Sequence, residues 1–286
     1  MDDRSLLASI RHLIGEEETA DDCAAFDLGD GRILVSSTDM LHETTDFPKG
    51  MTEFEKGWMS TAVTLSDIAS CGAEPVQVLV AVGLDDPSRL VPFMEGAVSC
   101  AERFGAKVAG GDIDSHTELT VVTTGFGIVE KTHYCRRSGA RAGDLVCITG
   151  TPGLAMAALE GDERYRKNLL TPVPQVEAGQ KIAAAGASSM MDVSDGLAIS
   201  LYDMADASNV GFALDAAKFN LPDVLFGSAR EYYLYGGGDF GLLFCMSPSL
   251  LPALDAEYTV IGTVVKEKGV WCDGEPVEKR GYAHSW

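Results

Sequence analysis

Apolar residues along this chain fall into two repeating patterns. Leu6, Leu7, Ile10, Leu13 and Ile14 recur every three or four positions, which predicts a short amphipathic helix over residues 4–14. Helical spacing returns over residues 52–71, with small residues (Ala62, Ser66, Ala69, Ser70) on one face and Gly72 as the stop, and over 87–104, stopped at Gly105. Between and after them come β-type runs. Arg32 to Ser37 follows the Gly29-Asp30-Gly31 turn and ends in Thr38-Asp39, while Val76–Val82 reads as a buried strand and Leu119–Val129 as a further strand. A second series starts with a strand at Asp144–Gly150. Helices over 153–161 and 173–186 follow, then strands at Leu242–Met246 and Tyr258–Val264. Strands and helices alternate in both halves, so the expected class is α/β (α+β) with two domains. The basic cluster Lys131, Arg136, Arg137 and Arg141 marks the junction, giving expected domains of 1–135 and 136–286.

Aspartates punctuate these elements. Apolar or small-residue runs stop at Asp21-Asp22, Thr38-Asp39, Ser66-Asp67, Gly111-Asp112, Asp192 with Asp195, and Asp239. In Asp192-Val193-Ser194-Asp195-Gly196-Leu197 the acids are expected where the chain enters a helix, since Leu197 onward has helical spacing. One reading is structural: each Asp caps a helix or closes a turn. The other is chemical: several carboxylates beside small residues offer the all-oxygen ligands that Mg²⁺ takes, which it shares with substrate phosphates.

Charge narrows the choice. Across 286 residues, Lys and Arg number 22 against 43 Asp and Glu, a net charge of −21. Such a field repels nucleic acid and anionic membrane, so neither is an expected partner. An anionic substrate would need a divalent cation to screen the acids. The seven cysteines are widely spaced, with no Cys-x-x-Cys, and read as reduced thiols of a cytoplasmic protein. No signal peptide and no 18-residue apolar span is expected. There is no Gly-x-x-x-x-Gly-Lys loop and no complete Gly-x-Gly-x-x-Gly. Asp239-Phe240-Gly241 lacks the companion motifs of a protein kinase, and His42-Glu43-Thr44-Thr45-Asp46 lacks the second histidine of a zinc helix.

Taken in order, the stretches resemble the thiamine-monophosphate kinase family, of the aminoimidazole ribonucleotide synthetase-like superfamily. The resemblance runs from Asp21-Asp22-Cys23-Ala24 through Ser37-Thr38-Asp39, Leu65-Ser66-Asp67, Gly110-Gly111-Asp112, Arg137-Ser138-Gly139 and Asp192–Leu197 to Gly236-Gly237-Gly238-Asp239. It implies an N-terminal domain that forms a β-barrel across a homodimer, and a C-terminal α/β domain. It implies Mg²⁺ as the metal, ATP as co-substrate and thiamine monophosphate as acceptor, with transfer of the γ-phosphoryl group. Asp22, Ser37, Thr38, Asp39, Asp67, Asp112, Asp192 and Asp195 match the family's metal positions. Gly111, Asp112, Arg137 and Ser194 match its nucleotide contacts. Catalysis would rest on Asp39, Asp67, Asp112 and Arg137, which neutralise and align charge.

Departures from the family pattern gather on the acceptor side. Asp46 stands where the family has histidine, Gly238 where it has a substrate-contacting glutamate, and Lys279 near an expected aromatic residue. These three are the candidate substrate positions. They leave room for the alternative of a related ATP-dependent enzyme acting on a different small molecule.

Overall fold

Helix α2 (Glu53–Ser70) begins on a reciprocal cap: the Thr52 hydroxyl accepts from the Glu55 N–H, and the Glu55 carboxylate accepts from the Thr52 N–H. From there it runs almost wholly buried, serine and threonine included. In the computed structural model, which describes residues 3–15 and 19–284, this helix lies between two open sheets, one from each half of the chain. Glu16–Glu18 lie outside the described residues.

The first sheet comprises β1 (Ala24–Asp27), β2 (Arg32–His42), β3 (Glu74–Leu84), β4 (Lys107–Ser115) and β5 (Thr120–Glu130), in the order β1-β2-β5-β3-β4. Only β3 and β4 pair in parallel. Burial along β5 alternates strictly, so one face of the sheet packs on helices and the other is open. The helices on the covered face are α2 and α3 (Leu90–Arg103), the latter entered through a short 3₁₀ turn at Pro87–Arg89. They touch through glycines. A Cβ on Gly57 would sit 1.9 Å from the Phe93 carbonyl oxygen, and one on Gly96 1.9 Å from that of Phe54.

The second half builds β6 (Leu145–Ile148), β7 (Ser189–Val193), β8 (Gly211–Leu214), β9 (Gly241–Met246), β10 (Thr259–Val265), β11 (Gly269–Cys272) and β12 (Glu275–Pro276) into one sheet, ordered β12-β11-β8-β10-β6-β9-β7. Its helices include α4 (Leu154–Leu159), α5 (Arg166–Leu170), α6 (Val176–Ala184), α7 (Leu197–Ser208) and α8 (Ala229–Tyr235). The strand β7 forms one edge of this sheet and packs against α2. α6 also presses on α2: a Cβ on Gly179 would meet the Ala69 carbonyl oxygen at 2.2 Å. The Trp58 indole N–H donates to the Pro172 carbonyl at 2.8 Å, tying α2 to the second half again. The N-terminal α1 (Asp3–Ile14) is different. Leu7, Ile10, Leu13 and Ile14 on it are all exposed.

Several expectations shift. Asp192 does not stand at a helix entry. It is inside β7, and α7 starts only after Gly196, with no side-chain cap. Thr38-Asp39 does not end its strand, since β2 continues to His42. Gly110-Gly111-Asp112 lies within β4 rather than after a strand. The helix expected over 173–186 is shorter, because Pro174 cannot donate within a helix.

Candidate active site

The carboxylates of Asp22, Asp67 and Asp192 meet, with one oxygen from each lying within 4.8 Å of the others. They arrive from three places: the loop before β1, the last turns of α2, and the end of β7. Each is held by a hydroxyl. Ser66 donates to Asp192 at 2.6 Å, Ser70 to Asp22 at 2.9 Å, and Ser37 of β2 to Asp67. Asp39 stands on the same covered face of β2 as Ser37, and accepts from Thr64 at 2.6 Å. Thus Thr64, Ser66 and Ser70 of α2 each position an acid from elsewhere. α2 adds Asp67 itself.

Burial raises Asp39, Asp67 and Asp192 above the usual carboxylate range, and neighbouring charges add to it at Asp67 and Asp192. Burial first, then the charges of Asp39, Asp192 and Asp22, hold Asp67 well above the usual carboxylate range. Burial, with Asp22 next, pushes Asp192 up to about 8. Burial also raises Asp39 against the pull of its Thr64 hydrogen bond. Asp21, beside the cluster, is pushed to about 6 by burial and by Asp22. A guanidinium offsets part of this. Arg137 donates through its side chain to Asp22 and through its backbone N–H to Asp21 at 3.1 Å. Burial opposes the charge on Arg137, but Asp22 overrides it and keeps the group protonated. Its Nε is buried with no partner among the described residues. Oxygen donors only, close together and short of positive charge, suit a hard divalent cation. An orphan Arg N–H beside them suits an anionic oxygen.

A cavity of about 230 Å³ opens over this cluster, and Arg137, Ser194 and Asp195 line it together with the three acids. Other predicted positions lie elsewhere. Thr38 projects from the opposite face of β2, where its hydroxyl meets that of Thr124 at 2.8 Å. Asp112 is exposed on the edge strand β4, in register with Ala81, Val122 and Met40 across the sheet. That is about 14 Å from β2 at the usual strand spacing. Gly111 is needed there for close approach: a Cβ would stand 1.7 Å from the Val80 carbonyl oxygen. Asp46 closes a turn, accepting from the His42 N–H at 2.7 Å. Gly238, at φ +89°, donates its N–H to the Ser194 carbonyl at 2.7 Å. Lys279 pairs with Asp206 at 3.3 Å over the Tyr202 ring. None of Asp46, Gly238 and Lys279 lines the carboxylate cavity. Asp239 proves to be a cap, accepting from the Gly153 and Ala155 N–H groups at the start of α4. The cavity also holds Arg4 and Asp203, which sequence reading did not single out. Nothing in the helical spacing around either residue marks it.

Comparison with known proteins now bears on this site. Residues 20–129 match the family profile described as AIR synthase related protein, N-terminal domain, and residues 141–272 its C-terminal counterpart. The thiamine-monophosphate kinase of Methanospirillum hungatei is 49% identical over 289 residues, covering 100% of both chains. The chain belongs to the thiamine-monophosphate kinase family. The family's enzyme from Archaeoglobus fulgidus is 39% identical, over 99% of this chain and 98% of that one. Among solved structures, AaThiL complexed with AMPPCP and TMP superposes with a TM-score of 0.92 at 27% identity, covering 99% of this chain and 97% of its own.

The raised carboxyls give this cluster a definite pH behaviour. A carboxyl whose folded pKa lies above its unfolded value binds its proton more tightly in the fold. Its stabilising contribution is full at low pH and is lost as pH rises through the folded value, about 8 for Asp192. A cation bound there would take the proton's place, so its affinity would rise over the same window. Calorimetric titration with Mg²⁺ between pH 6 and 9 is expected to show tightening that approaches about tenfold per pH unit, with protons released on binding. Affinity independent of pH, with no proton release, would contradict this origin of the raised carboxyls.

Proposed function

We propose that this chain transfers the γ-phosphoryl group of ATP to the phosphate of thiamine monophosphate, giving thiamine diphosphate and ADP. The observation that carries the reading is the convergence of Asp22, Asp67 and Asp192 from both halves of the chain beside Arg137. Full-length identity of 49% and 39% to enzymes named thiamine-monophosphate kinase supports the acceptor. That likeness favours the kinase over a sibling enzyme with another acceptor, despite the changes at Asp46, Gly238 and Lys279.

In this reading Asp22, Asp67 and Asp192 hold Mg²⁺, with Ser37, Thr38, Asp39, Asp112 and Asp195 as further metal positions. Bound there, the ion supplies charge neutralisation and alignment of phosphate oxygens. The protein's own part is positioning. Ser66 and Ser70 fix Asp192 and Asp22, and Ser37 fixes Asp67. Arg137, already charged and with one N–H unpartnered, meets a phosphate oxygen without first leaving Asp22. Gly111 and Ser194 are assigned to the nucleotide. No general base is assigned, because a phosphate acceptor is mostly ionised at neutral pH, its second pKa being about 6.

We also infer a homodimer. The open face of the first sheet carries Phe26, Met40 and Leu79 at 67%, 58% and 37% exposure, on strands whose other face is packed. A second copy whose own sheet faces this one would bury them and place two sheets face to face, as the expected barrel needs. Thr38 and Asp112 lie on this face, so their assigned roles rest on the second copy.

Two measurements test these readings. Purified protein with Mg-ATP and thiamine monophosphate is expected to form thiamine diphosphate, and Asp67→Asn to lose at least about 100-fold in rate, the worth of roughly 3 kcal/mol. Nucleotide binding without product at millimolar acceptor would sink the kinase reading. In sedimentation, the chain is expected to run as a dimer and Met40→Arg as a monomer. A monomeric parent at micromolar concentration would remove the dimer.

A further inference from the structure

Among the described residues, two cations line the carboxylate cavity: Arg137, from the second half, and Arg4, from the first turn of α1. Arg4 spans two acids. Its Nη2 lies 3.0 Å from Asp195 Oδ2 and 3.0 Å from Asp203 Oδ2, and its Nε lies 3.3 Å from the same Asp203 oxygen. All three side chains are only partly screened from solvent, at 32%, 30% and 18% exposure for Arg4, Asp195 and Asp203. The guanidinium therefore occupies the carboxylate of Asp195, which lines the same cavity as Asp22, Asp67 and Asp192. Apolar packing holds α1 only weakly, since Leu7, Ile10, Leu13 and Ile14 are 37–74% exposed. The Arg4 ion pairs with Asp195 and Asp203 tie its first turn to the body.

We propose that Arg4 is an internal competitor for the divalent cation at Asp195. With the cation absent, Arg4 supplies positive charge to Asp195 and Asp203. When a cation binds Asp195, the like charges repel, and Arg4 leaves that carboxylate while keeping Asp203. The exchange is local because Arg4 holds both acids at once. Its consequence is twofold: the cation binds more weakly than the bare acids would allow, and the first turn of α1 loosens when the cation arrives. This inference rests on the proposed Mg²⁺ site.

Paramagnetic titration with Mn²⁺ alone, without nucleotide, reads the competition directly. Arg4→Gln is expected to bind Mn²⁺ on the order of fivefold more tightly than the parent, the scale of a partly exposed ion pair. Arg4→Lys, which keeps the charge, is expected to stay close to the parent. Hydrogen exchange over residues 5–10 is expected to quicken when Mg²⁺ is added to the parent. In Arg4→Gln it is expected to be fast with or without the ion. Equal or weaker Mn²⁺ binding by Arg4→Gln, or exchange slowed by Mg²⁺, would overturn the competitor role while leaving the metal site standing. Failure of parent and variant alike to bind Mn²⁺ would overturn both the competitor role and the Mg²⁺ reading beneath it.

Discussion

Three carboxylates kept together beneath a small cavity repel one another, and the rest of this structure is arranged around that fact. Two unit charges 4.8 Å apart, at an effective dielectric constant of about 20, oppose each other by about 3–4 kcal/mol. A hydroxyl hydrogen bond returns only about 1 kcal/mol net. Ser66, Ser70 and Ser37 therefore place the acids of Asp192, Asp22 and Asp67 without neutralising them. Arg137 covers Asp22 and Asp21, but it is one positive charge among several acids. The deficit is met by protons, which is why Asp67 and Asp192 titrate so high, or by a cation. On the proposed function, a cation held there would also neutralise and align the phosphate oxygens.

The helix α2 converts that local problem into a property of the whole chain. It touches the first sheet, α3, α6 and β7, so both halves are registered against it. Glycine contacts at residues 57, 96 and 179 set its distance from α3 and α6 to the limit that backbone atoms permit. At such contacts an added methyl has no room, and overpacking of this kind costs about 1–3 kcal/mol. A shift of α2 along its axis would carry Thr64, Ser66, Asp67 and Ser70 together. The site is therefore as rigid as the helix packing that holds it.

Much of this was legible in the sequence, for physical reasons. The strand and helix periods gave the α/β (α+β) class, because burial of one face imposes a pattern that needs no partner to be seen. The acids stood out because several apolar or small-residue runs read as stopping at aspartate, most often beside Gly, Ser or Thr. What the pattern misjudged was the local geometry. Asp192 reads as a cap because Gly196 and a helix follow it, yet the strand β7 delivers it, and Ser66 from 126 residues away holds it. Thr38 and Asp39 are neighbours in sequence, but strand alternation sends their side chains to opposite faces. Asp239 belongs to the same pattern of acids and is a helix cap. Arg4 gave no signal at all, because an arginine on an amphipathic helix is ordinary until its partners are known.

Asp22, Asp67 and Asp192 acting as one cation site, shared by both halves of the chain, is the point on which the proposed chemistry turns. Anomalous diffraction from crystals soaked with Mn²⁺ at pH 8 tests it most directly. The expected result is a peak bonded to carboxylate oxygens of all three residues, with Ser66 still on Asp192. Manganese bound only at exposed surface acids, with the three carboxylates left bare, would contradict it.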